Sequence, residues 1–490
     1  MSPVQGRSAP APPSADDLAG ARLIRAVAFP ALAAAALVGI WGALELRPLF
    51  ADGFYYLLRI LQDEGFFMPS PARRMVEVIR QPPVLAAMAL GARDVEALGV
   101  VFGLCVQLAP LALVVASWAV LPRERKILFV FPLLHFCAGT LSAWAAPINE
   151  GPTAAAYFWV LFYGILFLRG PVALALVAVL AAGTLLLHEA MVFLGPILAF
   201  GALWRVRRED ARFPRIAFAA LAVWFVVVAA VHARFILEPI HPENRASFLR
   251  QLFSFWWMAG PGGVNLPAII GVAGLAAIGG AALLQFGAGG ARRRNSAWIV
   301  VAAFALASGA ALAYAAWSGQ MDGVRAQFYA RNHALLLSLP LSLLALYALI
   351  RPGALHLPLL RQSVAVCGIL AAVSLAWHAY ATHRWSHYVG VVRDILRDHR
   401  GFVRWDQAMA SLTPERQRLM SDFSHHWVLP SMSIVLAPRG RVATILWSPL
   451  HAFNPFDPRD PAALPRSRFW SYEPFLEALA AQKAAGELRR

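Results

Sequence analysis

Apolar residues run in long uninterrupted stretches through most of this chain, divided by short polar segments. As helices, stretches of this kind cross the roughly 30 Å hydrocarbon layer of a bilayer. They lie at about 23–46, 95–120, 127–146, 154–168, 171–187, 190–204, 215–232, 267–287, 297–317, 334–350 and 363–380. The block 171–204 is too long for one ordinary span, and His188-Glu189 divides it into two short ones. A different pattern follows the first stretch. Phe54, Leu57, Leu58, Leu61, Phe66 and Phe67 alternate with Arg59, Gln62, Asp63 and Glu64, and Pro69 and Pro71 break the run. Residues 75–89 repeat it, with Arg73, Arg74, Glu77 and Arg80 on the polar side. Two amphipathic helices with arginines beside aromatics predict segments lying in the membrane interface.

The pattern changes again after residue 380. Helices are predicted over 389–400 and 413–423, the second with Thr413 as N-cap and Pro414 in the first helical position. Residues 431–437 and 441–447 alternate apolar and polar around Pro438-Arg439-Gly440, which predicts a β-hairpin. A Pro-rich loop over 449–465 and a closing helix over 472–488 follow. The expected fold is an all-α polytopic membrane protein of about eleven transmembrane helices with a small C-terminal α+β extracytoplasmic domain. Residues 1–22 form a disordered cytoplasmic tail, and 23–380 the transmembrane domain with interfacial helices over 53–89. Residues 381–490 form the outer domain.

Composition agrees with the membrane class. The 490 residues are 59% hydrophobic and 14% charged, with mean hydropathy +0.59, against about 25% charged in soluble domains. The net charge of +16 lies mostly in short loops beside apolar runs, where it sets orientation rather than nucleic-acid binding. One set of loops holds 17 Lys and Arg in short segments, including 123–126, 205–215 and 292–294; the opposite set holds 11, spread over longer loops. Positive-inside places the N-terminus in the cytoplasm and, with an odd number of spans, residues 381–490 outside. Cys105, Cys137 and Cys367 all fall within apolar runs and suggest no disulfide framework.

Four groups on the outer face carry candidate chemistry. Asp52, where the first stretch ends, is either a solvated helix end or a working carboxylate facing the headgroups. Glu189, with His188, sits between two apolar segments; a charge left at hydrocarbon depth costs about 2.5–3.5 kcal/mol, so it either faces a polar cavity or serves an interfacial turn. Arg325 and Arg331, with His333 two residues on, suit phosphate oxygens or simple lipid anchoring. His241 and Arg245 precede Phe253-Ser254-Phe255-Trp256-Trp257, a setting for sugar stacking or for an interfacial aromatic belt. His383, His387, His425 and His426 show no convergence into a metal site. Nucleotide-binding and hydrolase-elbow motifs are absent from the sequence.

The layout resembles the GT-C superfamily of integral membrane glycosyltransferases. An acidic residue ends the first span in Asp52-Gly53-Phe54-Tyr55-Tyr56, two interfacial helices follow, and a many-span bundle leads to an outer C-terminal domain. Many members carry a second acidic residue near the first or in a later outer loop, for which Asp63, Glu64 and Glu189 are the candidates here. The resemblance implies transfer of a sugar from a polyprenyl-phosphate donor to a lipid, glycan or protein acceptor on the periplasmic face of a bacterial-type inner membrane. It assigns Asp52 as general base, with Glu189 and His188 orienting hydroxyls. Arg325, Arg331 and His333 would hold the carrier phosphate, and Tyr55, Tyr56, Arg245 and His241 complete the substrate-binding set. No cofactor or metal is implied, and the partners are the lipid-linked sugar and membrane lipid. A lipid-linked oligosaccharide polymerase or ligase, a transporter, and a non-enzymatic membrane protein are the other readings.

The charge distribution makes a direct prediction. A reporter active only in the periplasm is expected to be active when fused after Arg490 and silent when fused after Arg294; activity at Arg294 overturns the count of spans.

Overall fold

The computed structural model describes residues 15–144, 148, 150–237, 259–260, 263–286, 290–318, 330–351, 355–397, 399, 401–425, 428–438, 443–446, 468–469 and a few positions beyond. Arg325, His241 and Arg245 and the 238–258 loop lie outside the described residues, as does the side chain of Arg331. In order, the helices are α1 (Ala15–Leu44), α2 (Gly53–Asp63), α3 (Arg74–Arg80), α4 (Pro82–Ala89), α5 (Val95–Val120) and α6 (Val130–Leu134). Then come α7 (Gly151–Phe167), α8 (Pro171–Gly183), α9 (Met191–Val206), α10 (Arg212–Leu237), α11 (Leu266–Phe286) and α12 (Gly290–Ser318). The last are α13 (Arg331–Ile350), α14 (Leu357–Arg397), α15 (Trp405–Ala410), α16 (Pro414–Phe423) and α17 (Leu429–Leu436). Strands are few and short: β1 (Ala259–Gly260) pairs antiparallel with β2 (Gly263–Val264), and β3 (Gly401–Arg404) pairs parallel with β4 (Ala443–Leu446).

This is an all-α membrane-type fold. Apolar runs become helices because a backbone surrounded by hydrocarbon must satisfy its polar groups internally. Among the described residues, 8 helices are long and apolar enough to cross a membrane, and the apolar helices Gly151–Phe167, Pro171–Leu186 and Met191–Val206 are shorter. Each of these elements coincides with one of the predicted apolar stretches. The stretch 127–146 is not a regular α-helix: a 3₁₀ segment (Arg123–Phe129), α6, a π-helical turn (His135–Thr140) and a further 3₁₀ turn (Leu141–Ala143) succeed one another. The π turn accommodates close neighbours. A Cβ on Gly271 of α11 would lie 2.7 Å from the Ala138 carbonyl oxygen, and one on Gly139 would lie 3.3 Å from Ala334 of α13.

Packing fixes the directions of the helices. Helices α1 and α14 run parallel: Gly20 meets Leu360, Val27 meets Gly368, and the Trp385 indole N–H donates to the Glu45 carbonyl at 2.7 Å. Helix α5 runs opposite to α1, with Gly39 against Gln107 and Phe29 against Trp118. The three shorter helices alternate as well. Glu150, before α7, meets Tyr56 of α2, whereas Tyr163 near the far end of α7 donates to the Leu128 carbonyl. Tyr157 of α7 donates to the Leu180 carbonyl of α8, and Arg205 at the end of α9 donates back to Leu166.

The two amphipathic segments pack against the protein. Phe54, Leu57, Ile60 and Leu61 of α2 belong to the core, and Glu77 and Arg80 of α3 and the following Gln81 are buried while Arg74 is exposed. The inward orientation holds because Arg80 and Gln81 find protein partners. Arg80 donates to Thr153 Oγ1 at 2.7 and 3.2 Å and to the Ile148 carbonyl at 2.8 Å. The Gln81 side-chain amide exchanges two hydrogen bonds with the backbone of Phe67, at 2.9 and 2.8 Å.

The hairpin expectation is also corrected. Residues 431–436 belong to helix α17, whose residues are all buried, and β4 pairs with β3 instead. Of the two serines that made the segment look alternating, the Ser431 hydroxyl is buried without a partner among the described residues, and the Ser433 hydroxyl is satisfied inside the protein. Ser433 donates to the Leu429 carbonyl at 2.5 Å and accepts from the Ile445 amide at 3.3 Å. The helix foreseen over 389–400 is the C-terminal part of α14, which runs on past residue 380 without a break. Thr413 caps α16 as expected, accepting from the Arg416 amide.

Close helix packing makes one glycine decisive. A Cβ at Gly195 of α9 would lie 2.8 Å from the Phe225 carbonyl oxygen of α10, while Gly279 of α11 has nothing within 4 Å. Gly195→Val is expected to destabilise the protein by about 1–3 kcal/mol through overpacking. Gly279→Ala should leave thermal unfolding unchanged or slightly raised. Scanning calorimetry or dye-monitored melting of both variants in detergent checks the contrast.

Candidate functional site

Four loops and helix ends meet around Arg73. The 3₁₀ turn Pro71–Arg73 carries Arg73 to the start of α3. Its Nε donates to both Glu189 oxygens, at 3.0 and 2.9 Å, and its Nη1 donates to Glu150 Oε2 at 3.1 Å. Glu150 immediately precedes α7, and its Oε1 accepts from the Tyr56 hydroxyl at 3.3 Å. His188 Nδ1 accepts the Ala190 amide at 3.1 Å and lies 3.3 Å from Glu189 Oε2. The amide bond leaves the proton of a neutral ring on Nε2, so Nδ1 and the carboxylate are neighbours in charge rather than a donor–acceptor pair.

Asp52 enters from beyond the C-terminal end of α1. The chain turns there through two left-handed residues, Leu46 (φ 58°) and Ala51 (φ 63°). Such conformations in non-glycine residues cost roughly 1–3 kcal/mol each and persist where the surroundings impose them. Phe50, between them, is buried against Trp385, Phe423 and His425. Asp52 then begins α2, its carbonyl accepting from the Tyr56 amide at 2.9 Å. Its carboxylate is close enough to act on the ionisation of both Tyr55 and Tyr56.

Burial and charge pull against each other in this cluster. Burial pushes the Glu189 carboxyl up, but the Arg73 guanidinium bonded to both its oxygens outweighs burial and holds it below the usual carboxylate range. Burial also opposes ionisation of Glu150, yet Arg73 and Arg80 keep its pKa below the usual carboxylate range. Burial disfavours the charge on Arg73, and the two carboxylates more than restore it. Tyr56 is pushed well up by burial and by the charges of Glu150, Asp52 and Glu77, so it stays a hydrogen-bond donor. Glu77 behaves differently: burial outweighs Arg80 and raises it to about 7. The result is a pair of fixed carboxylates with a phenol donor and a third carboxylate, Asp52, at the edge. Such a set can orient hydroxyl groups and accept a proton from one.

Of the candidates named from sequence, Tyr56, His188 and Glu189 come together through Arg73 and Glu150, and Asp52 lies near enough to act on Tyr56. Tyr55 packs edge-on against Phe67 and Tyr56. His333 opens α13 close to His135 of the π turn. Asp63 pairs with Arg59, and Glu64 with Arg468, on the surface of α2. Arg73 and Glu150 were not foreseen. The signal for Glu150 was present, since it is the one acidic residue in a short loop that the span count places on the same face as Asp52. The signal for Arg73 was hidden by an amphipathic pattern that reads equally well facing out or in. Among the described residues, no three His, Cys, Asp or Glu side chains gather as a metal site. A separate polar cleft of about 360 Å³ opens between α14 and α16, lined by His387, Asp394, Thr413, Glu415 and Arg416 among others.

Compared with models of known protein families, with curated proteins and with solved structures, the chain matches none.

The raised Glu77 pKa fixes a sign. A carboxyl held near 7 in the fold and near 4.5 in the unfolded chain favours the folded state when protonated. That contribution is lost as pH rises from about 4.5 through about 7, an effect of up to roughly 3 kcal/mol. Glu77→Gln keeps a neutral group in place, so its melting temperature should fall less than that of the parent between pH 5 and 7.5 and exceed it at pH 8. Parallel pH–melting curves for the two proteins test this.

Proposed function

We propose that the protein is an integral membrane glycosyltransferase that takes a sugar from a polyprenyl-phosphate donor and passes it to a hydroxyl acceptor on the outer face of a bacterial-type plasma membrane. The observation that carries this reading is that Asp52, which follows the first apolar helix, and Glu150, from a later loop, both bear on Tyr56: the Tyr56 hydroxyl bonds Glu150, and the Asp52 charge acts on its ionisation. Arg73 ties Glu150 to Glu189. The GT-C layout leads one to look for a second outer-loop carboxylate, and Glu150 fills that role better than Asp63 or Glu64.

The topology that goes with this reading has eleven crossings, a cytoplasmic N-terminus and a periplasmic C-terminal domain. Parallel α1 and α14 support it. Two parallel crossings at the ends of a series require an odd number in all, so eight long helices need an odd number of the shorter ones to cross as well. The alternating directions of α7, α8 and α9 favour all three.

In the proposed reaction the acceptor oxygen forms a bond to the anomeric carbon while the bond from that carbon to the phosphate oxygen breaks. Asp52 takes the acceptor proton. The electron pair leaves on the polyprenyl phosphate, whose charge Arg325 and Arg331, with His333, would stabilise. Glu150 and Glu189 are held ionised by Arg73 and are suited to accept hydrogen bonds from sugar or acceptor hydroxyls, with Tyr56 and His188 as further polar contacts.

Asp52→Asn keeps the shape of the side chain but cannot take the proton. Product formed per folded protein, in vesicles supplied with polyprenyl-linked sugar, should fall about 10²–10⁴-fold. Glu150→Gln should lower it less, because an amide still bonds Tyr56 but loses its charge toward Arg73. Full activity in Asp52→Asn overturns the assignment of the base, and absence of transfer by the parent protein with any lipid-linked sugar overturns the reading as a whole.

A further inference from the structure

Just inside the turn that carries Asp52, a second polar cluster is sealed in the bundle. Arg47 is only 2% exposed, and Gln107, Trp144 and His378 are fully buried. Arg47 Nη1 donates to His378 Nδ1 at 3.2 Å, and His378 Nε2 donates to the Leu141 carbonyl at 2.8 Å. His378 is therefore the neutral tautomer and cannot balance the guanidinium. The Arg47 guanidinium carbon lies 5.8 Å from the Trp144 ring centre, and Trp144 meets the His378 ring edge-to-face at 5.3 Å. Gly39 and Gly42, one turn apart on α1, leave room for the group. A Cβ on Gly39 would touch Gln107 at 2.6 Å and the indole edge of Trp144 at 3.4 Å, and one on Gly42 would lie 2.9 Å from Arg47 Nε.

The hydrogen-bonding balance of this cluster is one-sided. Arg47 Nε and Nη2, Trp144 Nε1 and Gln107 Nε2 are buried donors with no acceptor among the described residues, and the Gln107 carbonyl oxygen is the lone unpaired acceptor beside them. No carboxylate pairs with Arg47 among the described residues either, and a guanidinium does not shed its proton in a protein. A buried charge without a counter-charge is strongly unfavourable, and two unpaired N–H groups of the cation itself, with the unpaired Trp144 and Gln107 donors in the same cluster, call for an anion. We propose that Arg47, Trp144 and Gln107 form a site for a small dehydrated anion of the size of chloride. The enclosure of all four side chains argues for a single-atom ion over a phosphate or a lipid headgroup. Its role is to neutralise Arg47 and so hold the strained turn between Leu46 and Ala51. This inference is independent of the glycosyltransferase reading.

The test is thermal unfolding of the full chain in detergent, titrated with sodium chloride, bromide, phosphate or gluconate at constant ionic strength. Chloride and bromide should raise the melting temperature saturably, by a few degrees at about a hundredfold excess over Kd. Gluconate and phosphate should not. Arg47→Met should abolish the chloride effect and Gln107→Leu should weaken it. Equal melting in chloride and gluconate, a phosphate effect equal to that of chloride, or an undiminished chloride effect in Arg47→Met each overturns the site. If Arg47→Met does not fold, chloride-35 line broadening on the parent protein, reversed by bromide, decides the matter, and its absence rejects the proposal.

Discussion

One guanidinium bonding two carboxylates that come from different loops holds one end of this bundle together. Arg73 reaches Glu150 before α7 and Glu189 before α9, and Glu150 reaches Tyr56 on α2. Removing Arg73 would leave two carboxylates facing each other in poorly hydrated surroundings, where an unpaired charge is costly. Its planar fork suits this task better than a lysine ammonium, because Nε and Nη1 point in fixed directions at two acceptors. The loop between α8 and α9, the loop before α7 and the α2–α3 connection are thus tied to one side chain.

The same region shows how a membrane-type fold uses polar residues inside itself. Arg80 and Gln81 face the protein and spend their hydrogen bonds on backbone carbonyls and on Thr153. These bonds fix Phe67, in the irregular segment 64–70, together with Ile148 and Thr153, just before and at the start of α7. A buried polar network of this kind is stable only where its members are satisfied. Glu77 is the exception, with one oxygen lacking a partner and a pKa raised to about 7.

A third constraint comes from the far end of the chain. Helix α14 extends beyond the level of α1, and residues after it fold back on the turn that presents Asp52. Phe50 and Phe54 pack on Trp385, Tyr388 stacks on Phe423, and Arg384 pairs with Asp422 at 2.6 Å. Residues 422–425 are in this way part of the wall behind the turn that follows the first helix, which explains how two left-handed residues are held in so short a turn.

What the sequence determined by itself is everything that depends on local hydrophobicity. The apolar runs, the division of 171–204 at His188-Glu189 and the cap at Thr413 were legible because burial in hydrocarbon demands helices and helix ends demand particular residues. The common face of Asp52 and Glu189 followed from counting. Tertiary structure alone decided which way an amphipathic helix turns. The pattern of α3 has one polar side, but only the positions of Thr153, Ile148 and Phe67 turn Arg80 and the following Gln81 inward. It likewise decided that 431–436 is a helix, since a segment buried on all sides carries no facial signal in its sequence. The meeting of Arg73 with Glu150 and Glu189 belongs to the same class: a contact spanning 77 and 116 residues leaves no local trace, because charged side chains look alike in sequence whether they face water or each other.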